Sequence, residues 1–391
     1  MRILWAHSHF DLGGGPKTVL SWALGLREMD HEISFIGQGG RLLDTVKANH
    51  FTFISLGKDR FRPSLIYAFQ IYKYGKTINP DVLIGVGIPT GMEASLAAYL
   101  LKKPILFIMN VSPRNMFWTG NSKWQFPQIS DMVVVNAEFK ELCIQKYGWD
   151  EDKIHYIPQR LLPQDHQRNI VRNSLHRIAI VRRLDIIKSQ PVIYLLDRLQ
   201  NFLQAHENIS VDIIGDGSNY DSVVTKSCEV NKQINRSAIN CIGYIDDIEN
   251  KLGQYDLVIG TEKVVFEALS ARKATAIIRN DGTLIPVTAN NICVLSYDNF
   301  IGSKLDLSSD IDFDHLLKYV KGYSQGEGGN LGDWIERNYD YKIGAGKISM
   351  LLEEISVPKF FLQKYVFQLI RMYISIFSKI LKNNLFQERR K

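Results

Sequence analysis

Short apolar runs alternate with stretches of helical periodicity along the whole chain, the pattern of parallel strands joined by crossover helices. In the first half the runs predict strands over Arg2–Ala6, Glu32–Gly37, Phe51–Leu56, Asp81–Gly87, Pro104–Asn110, Asp131–Asn136 and Ile154–Pro158. Three- and four-residue apolar spacing predicts helices between them, over Pro16–Met29, Ser64–Ile78 and Gly91–Leu101. A polar, proline-bearing stretch from Pro158 to His176 interrupts the rhythm and reads as a linker. The alternation then resumes: strands over Arg177–Arg183, Val211–Gly215, Ile239–Gly243, Leu257–Gly260 and Ala274–Arg279, helices over Gln190–His206, Tyr220–Ile234 and Lys263–Arg272. The expectation is an α/β protein of two Rossmann-like, doubly wound domains facing across a cleft. Their boundaries fall at 1–165 and 166–340, followed by returning helices and a basic tail over 341–391.

Length agrees, since 391 residues exceed one ordinary core and suit two. Composition, 45% hydrophobic and 23% charged, excludes disordered, collagenous and repeat classes. Cys143, Cys228, Cys241 and Cys293 form no C-x-x-C pair, which reads as thiols in a reducing compartment. The opening MRILWAHSHF has no secretory-signal pattern, so the expected location is cytoplasmic. Charge changes the picture in one place: residues 358–391 carry eight cations against Glu388 alone, more than the formal +6 of the whole chain. The basicity is therefore local, and no nucleic-acid partner is expected.

Three segments carry candidate chemistry. HFDLGGGPKTVL joins the first strand to the first helix, where Gly14 and Gly15 let backbone N–H groups and the helix dipole approach an anion. The same glycines also suffice for a tight turn. The loop fits neither a Walker A sequence, because Pro16 precedes Lys17, nor a dinucleotide fingerprint. RIAIVRRLDIIKSQPV places Arg183 and Lys188 at the carboxyl end of a buried strand, where a cation pair could hold a pyrophosphate or remain merely solvated. TEKVVFEALSARKA sets Glu262 and Glu267 at the start of a helix, where a carboxylate could accept both ribose hydroxyls or complement the dipole. The DID triplet Asp310–Asp312 reads as helix capping and not as a metal site. The chain shows no zinc ligand set, triad or G-x-S-x-G elbow, so hydrolase readings have no support; with a cation pair able to hold a diphosphate, no metal or cofactor is expected.

Taken in order, VVVNAEFKELCIQKYGWDEDKIHYIP, RIAIVRRLDIIK, VDIIGDG, INCIGYIDDIENKLGQYDLVIGT and KVVFEALSARKATAII resemble the retaining GT-B glycosyltransferases of the family 4 type. The match covers roughly residues 131–280, with a looser one over 1–110 and 331–355. The resemblance implies a nucleotide-sugar donor whose diphosphate meets Arg183, Lys188 and the Gly14–Gly15 loop, and whose ribose meets Glu267. It implies transfer to an acceptor hydroxyl with retention. Glu262 and Asn110 fall where the family carries catalytic groups, with departures. Glu262 is only five residues before Glu267. Asn110 stands where many members have histidine, and Arg182 replaces a glycine. Pro158-Gln159-Arg160 stands for Pro-Asn-Gly. These departures keep two alternatives open: a sugar-nucleotide epimerase, and a catalytically silent GT-B partner in a polysaccharide assembly complex.

Read as a helix, the tail puts Lys364, Gln368, Arg371, Ser375, Lys379 and Lys382 on one stripe. Apolar residues such as Phe360, Tyr365, Phe367, Leu369 and Ile370 surround it. That pattern predicts an amphipathic helix over 358–386 lying on an anionic membrane surface, docking back on the first domain or forming an oligomer contact. A lipid-linked or glycan acceptor of bacterial envelope polysaccharide synthesis would fit such a peripheral enzyme.

Overall fold

The computed structural model describes residues 1–11, 14–57, 63–109, 128–158, 161, 174–305, 311–371 and 373. It consists of two compact units, Met1–Arg160 with Tyr341–Lys391, and Leu161–Asp340. Most of the linker expected over 158–176 lies outside the described residues.

Unit 1 opens with β1 (Arg2–His9), α1 (Gly14–Glu28), β2 (Glu32–Gln38), α2 (Leu43–Ala48), β3 (Thr52–Ser55) and α3 (Leu65–Ile78). It continues through β4 (Val82–Val86), α4 (Ile88–Leu101), β5 (Ile105–Met109), β6 (Asp131–Val134), α5 (Ala137–Gln145) and β7 (Ile154–Tyr156). Its strands form a parallel seven-stranded sheet in the order β3-β2-β1-β4-β5-β6-β7. The central strands are apolar on both faces because helices cover both: β4 and β5 are buried along their whole length.

Unit 2 repeats the plan with β8 (Arg177–Val181), α6 (Ile186–Ala205), β9 (Ser210–Ile214), α7 (Tyr220–Gln233), β10 (Ile239–Gly243) and α8 (Ile248–Lys251). Then come β11 (Leu257–Gly260), α9 (Lys263–Ser270), β12 (Ala274–Ile278), β13 (Leu284–Pro286), α10 (Ile292–Tyr297), α11 (Phe313–Gly322) and α12 (Gly328–Tyr339). The sheet order is β10-β9-β8-β11-β12-β13, with only the β12–β13 pair antiparallel. Periodicity placed the start of α6 at Gln190, beside Pro191. Asp185 caps the helix one turn earlier, its carboxylate accepting the Lys188 amide at 2.9 Å.

The chain returns to unit 1 as α13 (Tyr341–Glu354), whose Ala345, Ile348 and Leu352 join the core under β1. A last described helix, α14, covers residues 362–371. It differs from the expected amphipathic pattern. Tyr365, Gln368 and Leu369 are buried, and Tyr365 and Leu369 pack in the cluster around Phe107 and Met132. Gln368, expected on the solvated stripe, therefore faces the protein. Residues 374–391 lie outside the described residues.

Candidate functional site

In unit 2 the chain leaves β8 toward β9 on one side and returns to β11 on the other, so the carboxyl ends of β8 and β11 form a topological switch point. In open α/β sheets ligands bind at such a point, where the loops diverge. Arg183, Lys188 and Glu262, read separately from the sequence, all stand at these two strand ends.

They are linked through Asp185. The Arg183 Nε donates to Asp185 at 2.9 Å, and the other carboxylate oxygen of Asp185 caps α6. Burial alone would raise the Asp185 carboxyl, but the Lys188 amide and the Arg183 guanidinium outweigh it and hold it below its ordinary value. One turn into α6, Lys188 Nζ lies 3.8 Å from Glu262. Arg183 is 69% exposed at its side chain, so its remaining donors are open to a ligand.

Glu262 occupies the N-cap of α9 but makes no capping hydrogen bond, and its backbone sits at φ 56°, ψ −127°. For a residue with a Cβ this conformation costs about 1–3 kcal/mol and persists only where its surroundings enforce it. The cost aims the carboxylate at Lys188 instead of at the helix's own amides.

Beneath lies Arg182, the residue standing for a family glycine. It is buried, and its guanidinium reaches past β11 to donate to the Ile278 carbonyl and the Asn280 side chain, each at 2.7 Å. Burial lowers its pKa, and Glu262 and Asp185 act in the opposite direction. A guanidinium remains charged under those conditions, so the switch point has a fixed cation in its floor.

Glu267, expected at the ribose, is a buried residue. It is 3% exposed and bonded to Lys263, which also approaches Glu249 at 3.9 Å. Three buried charges thus brace the first turns of α9. The i,i+4 spacing of Lys263 and Glu267 was legible in the sequence; the partnership with Glu249 and the reach of Arg182 to Asn280 were not, because they join distant segments.

In unit 1, Gly14 and Gly15 form the first residues of α1. His7 is buried toward the end of β1, and Asp11 lies 3.8 Å from His9. Asn110 lies outside the described residues. So does Asp310, while Asp312 caps α11 through the His315 amide at 2.8 Å. Among the described residues no group of three His, Cys, Asp or Glu side chains is placed to hold a metal ion.

No family model and no curated protein matches the chain by sequence. Solved structures match by shape. A glycosyltransferase from Rickettsia africae superposes with a TM-score of 0.65 at 15% identity, over 90% of this chain and 98% of that one. Anabaena HepE in complex with UDP-glucose gives 0.66 at 13% identity, over 90% and 99%. A UDP-GlcNAc 2-epimerase from Neisseria meningitidis bound to UDP-GlcNAc gives 0.55 at 14% identity, over 90% and 100%. The chain has the two-unit, parallel-sheet fold that these glycosyltransferases share.

Proposed function

We propose that the protein is a nucleotide-sugar-dependent glycosyltransferase, with unit 2 holding the donor. The observation that carries this reading is the meeting of Arg183, Lys188 and Glu262 at the switch point between β8 and β11, above the buried Arg182. The donor diphosphate takes Arg183 and draws Lys188 away from Glu262. As the anomeric bond breaks, negative charge grows on the leaving diphosphate, and cations already fixed in place stabilise it without reorganising. Glu262, freed from Lys188, is the carboxylate nearest that reaction. Glu267 serves the ribose either directly or by bracing α9. UDP is the first donor nucleotide to test, because HepE is a UDP-glucose complex. Retention of configuration follows the family 4 resemblance, and no covalent nucleophile is assigned. The acceptor class is an envelope glycan or a lipid-linked glycan.

The test is thermal stabilisation by a panel of nucleoside diphosphates, for wild type, Arg183→Ala and Glu267→Ala. A ligand at one hundred times its Kd adds about 2.7 kcal/mol to native stability. A base-selective rise in Tm that both variants lose is expected. Absence of any rise, with every nucleotide, sinks the donor-site reading and leaves the silent partner. A second reading, epimerisation, draws on the likeness to the 2-epimerase. Conversion of a nucleotide sugar to its epimer without acceptor would select it.

A further inference from the structure

The C-terminal helix is strapped to unit 1 by polar contacts. Gln128 exchanges two hydrogen bonds with the backbone of Phe361, donating to its carbonyl at 3.1 Å and accepting its amide at 2.7 Å. Ser130 Oγ donates to the Ser356 carbonyl at 2.6 Å, and the Tyr373 hydroxyl donates to the Pro63 carbonyl at 2.6 Å. Phe360 stacks on Tyr99 of α4 at 4.4 Å. These contacts bring α14 beside the end of α4 at one extreme and the start of α3 at the other.

The outer side of α14 is apolar at helical spacing: Leu362, Val366 and Ile370 are 56%, 46% and 52% exposed. Next to the Pro63 junction, the first turns of α3 continue the pattern, with Leu65, Ile66 and Phe69 at 57%, 67% and 60%. Water-exposed apolar side chains so grouped mark a surface that is covered in use.

Charge identifies the cover. Residues 63–80, 94–130 and 355–387 contain no aspartate or glutamate, yet carry Lys73, Lys76, Lys102, Lys103, Lys359 and Arg371 among their cations. A second copy of the same face would bring like charges together. An anionic bilayer accepts both features, since apolar side chains enter the headgroup boundary while lysines and arginines meet lipid phosphates. No helix among the described residues is long and apolar enough to cross a membrane.

We infer that unit 1 docks on an anionic lipid bilayer through a composite face built by α14 and the start of α3. The described helix α14 acts as part of a folded surface, not as a separate amphipathic peptide. This inference stands independently of the donor site, because binding needs no turnover.

The test is co-sedimentation of the full chain with vesicles of phosphatidylcholine alone or mixed with phosphatidylglycerol. Binding is expected only to the mixed vesicles and should weaken as salt rises. An Ile66→Glu, Phe69→Glu variant and a Val366→Glu, Ile370→Glu variant should each bind about tenfold or more weakly. Both pairs are exposed, so melting temperatures should hold, and a matching loss of both bindings with intact melting supports the composite face. Wild-type binding by the α3 variant would overturn it in favour of the tail alone. Failure to bind the mixed vesicles would overturn it outright. A concentration-dependent dimer, abolished by the same substitutions and indifferent to lipid, would assign the face to a second copy.

Discussion

In unit 1, near the end of β1, His7 is buried beside Gly37 of the neighbouring strand; in unit 2, just past the end of β8, Arg182 is buried beside Gly215. A Cβ on either glycine would collide with the backbone carbonyl of its partner, so the two units use one device to bring adjacent strand ends together. The register of the next strand extends the correspondence. Trp5 pairs with Ile84 and Ile180 with Ile259, which makes Gly87 of unit 1 the positional equivalent of Glu262 of unit 2. Both cap the following helix with positive φ, 73° at Gly87 and 56° at Glu262. One scaffold, filled with imidazole and glycine on one side and with guanidinium and carboxylate on the other, yields a weakly charged edge and a densely charged edge.

The buried carboxylates give the largest expected effect. In unit 1, Glu93 is fully buried on α4 and accepts the Ser64 amide at 2.7 Å. In unit 2, Glu267 and Glu249 share Lys263, whose side chain is 10% exposed. Lys263→Ala removes the cation that two buried carboxylates share and should cost about 3–5 kcal/mol. Glu93→Gln keeps an acceptor for the amide and should cost only about 0.5–1.5 kcal/mol. Denaturant unfolding of both variants checks the contrast. Equal costs would show that the charges of unit 2 do not hold its edge.

The strained cap sharpens the comparison in the opposite direction. Since unit 1 places glycine where unit 2 places Glu262, Glu262→Gly should relieve backbone strain and raise stability by about 1–3 kcal/mol, less whatever glycine's freedom in the unfolded chain takes back. The same change removes the carboxylate beside Lys188 and should lower turnover. A variant both more stable and less active identifies strain kept for function. A destabilised variant would mean that the Lys188 contact outweighs the backbone cost.

Much of this was legible before the structure. Parallel strands declare themselves as apolar runs, and Arg183, Lys188 and Glu262 follow such runs directly, so their shared sheet edge could be read from order alone. The strain at Glu262 could not, because no sequence pattern marks positive φ in a glutamate. Nor could the function of Arg182, which depends on Ile278 and Asn280 nearly a hundred residues away. The tail misled in its inner face: helical spacing separates Gln368 from the apolar residues, but burial against unit 1 places it with Tyr365 and Leu369. Amphipathicity shows that a helix has two sides, and only tertiary contacts say which side is covered.

The smallest effect concerns how α6 begins. Unit 1 starts α1 with Gly14 and Gly15, while unit 2 starts α6 with the Asp185 carboxylate, held between the Lys188 amide and Arg183. Its folded pKa lies below the ordinary carboxyl value. The unfolded chain therefore binds the proton first, and the stabilisation is fully present above the unfolded pKa and lost as pH falls through the folded one. With its side chain a third exposed, solvent screening limits the effect to under about 1 kcal/mol. Asp185→Asn keeps a capping oxygen but cannot titrate there. The stability difference between wild type and Asp185→Asn, followed by denaturant unfolding from neutral pH into acid, should be flat near neutrality and shrink below about pH 4. A difference that persists unchanged into acid would mean that Asp185 acts through its shape as a cap, and that the charge on this edge resides in Arg182, Arg183, Lys188 and Glu262.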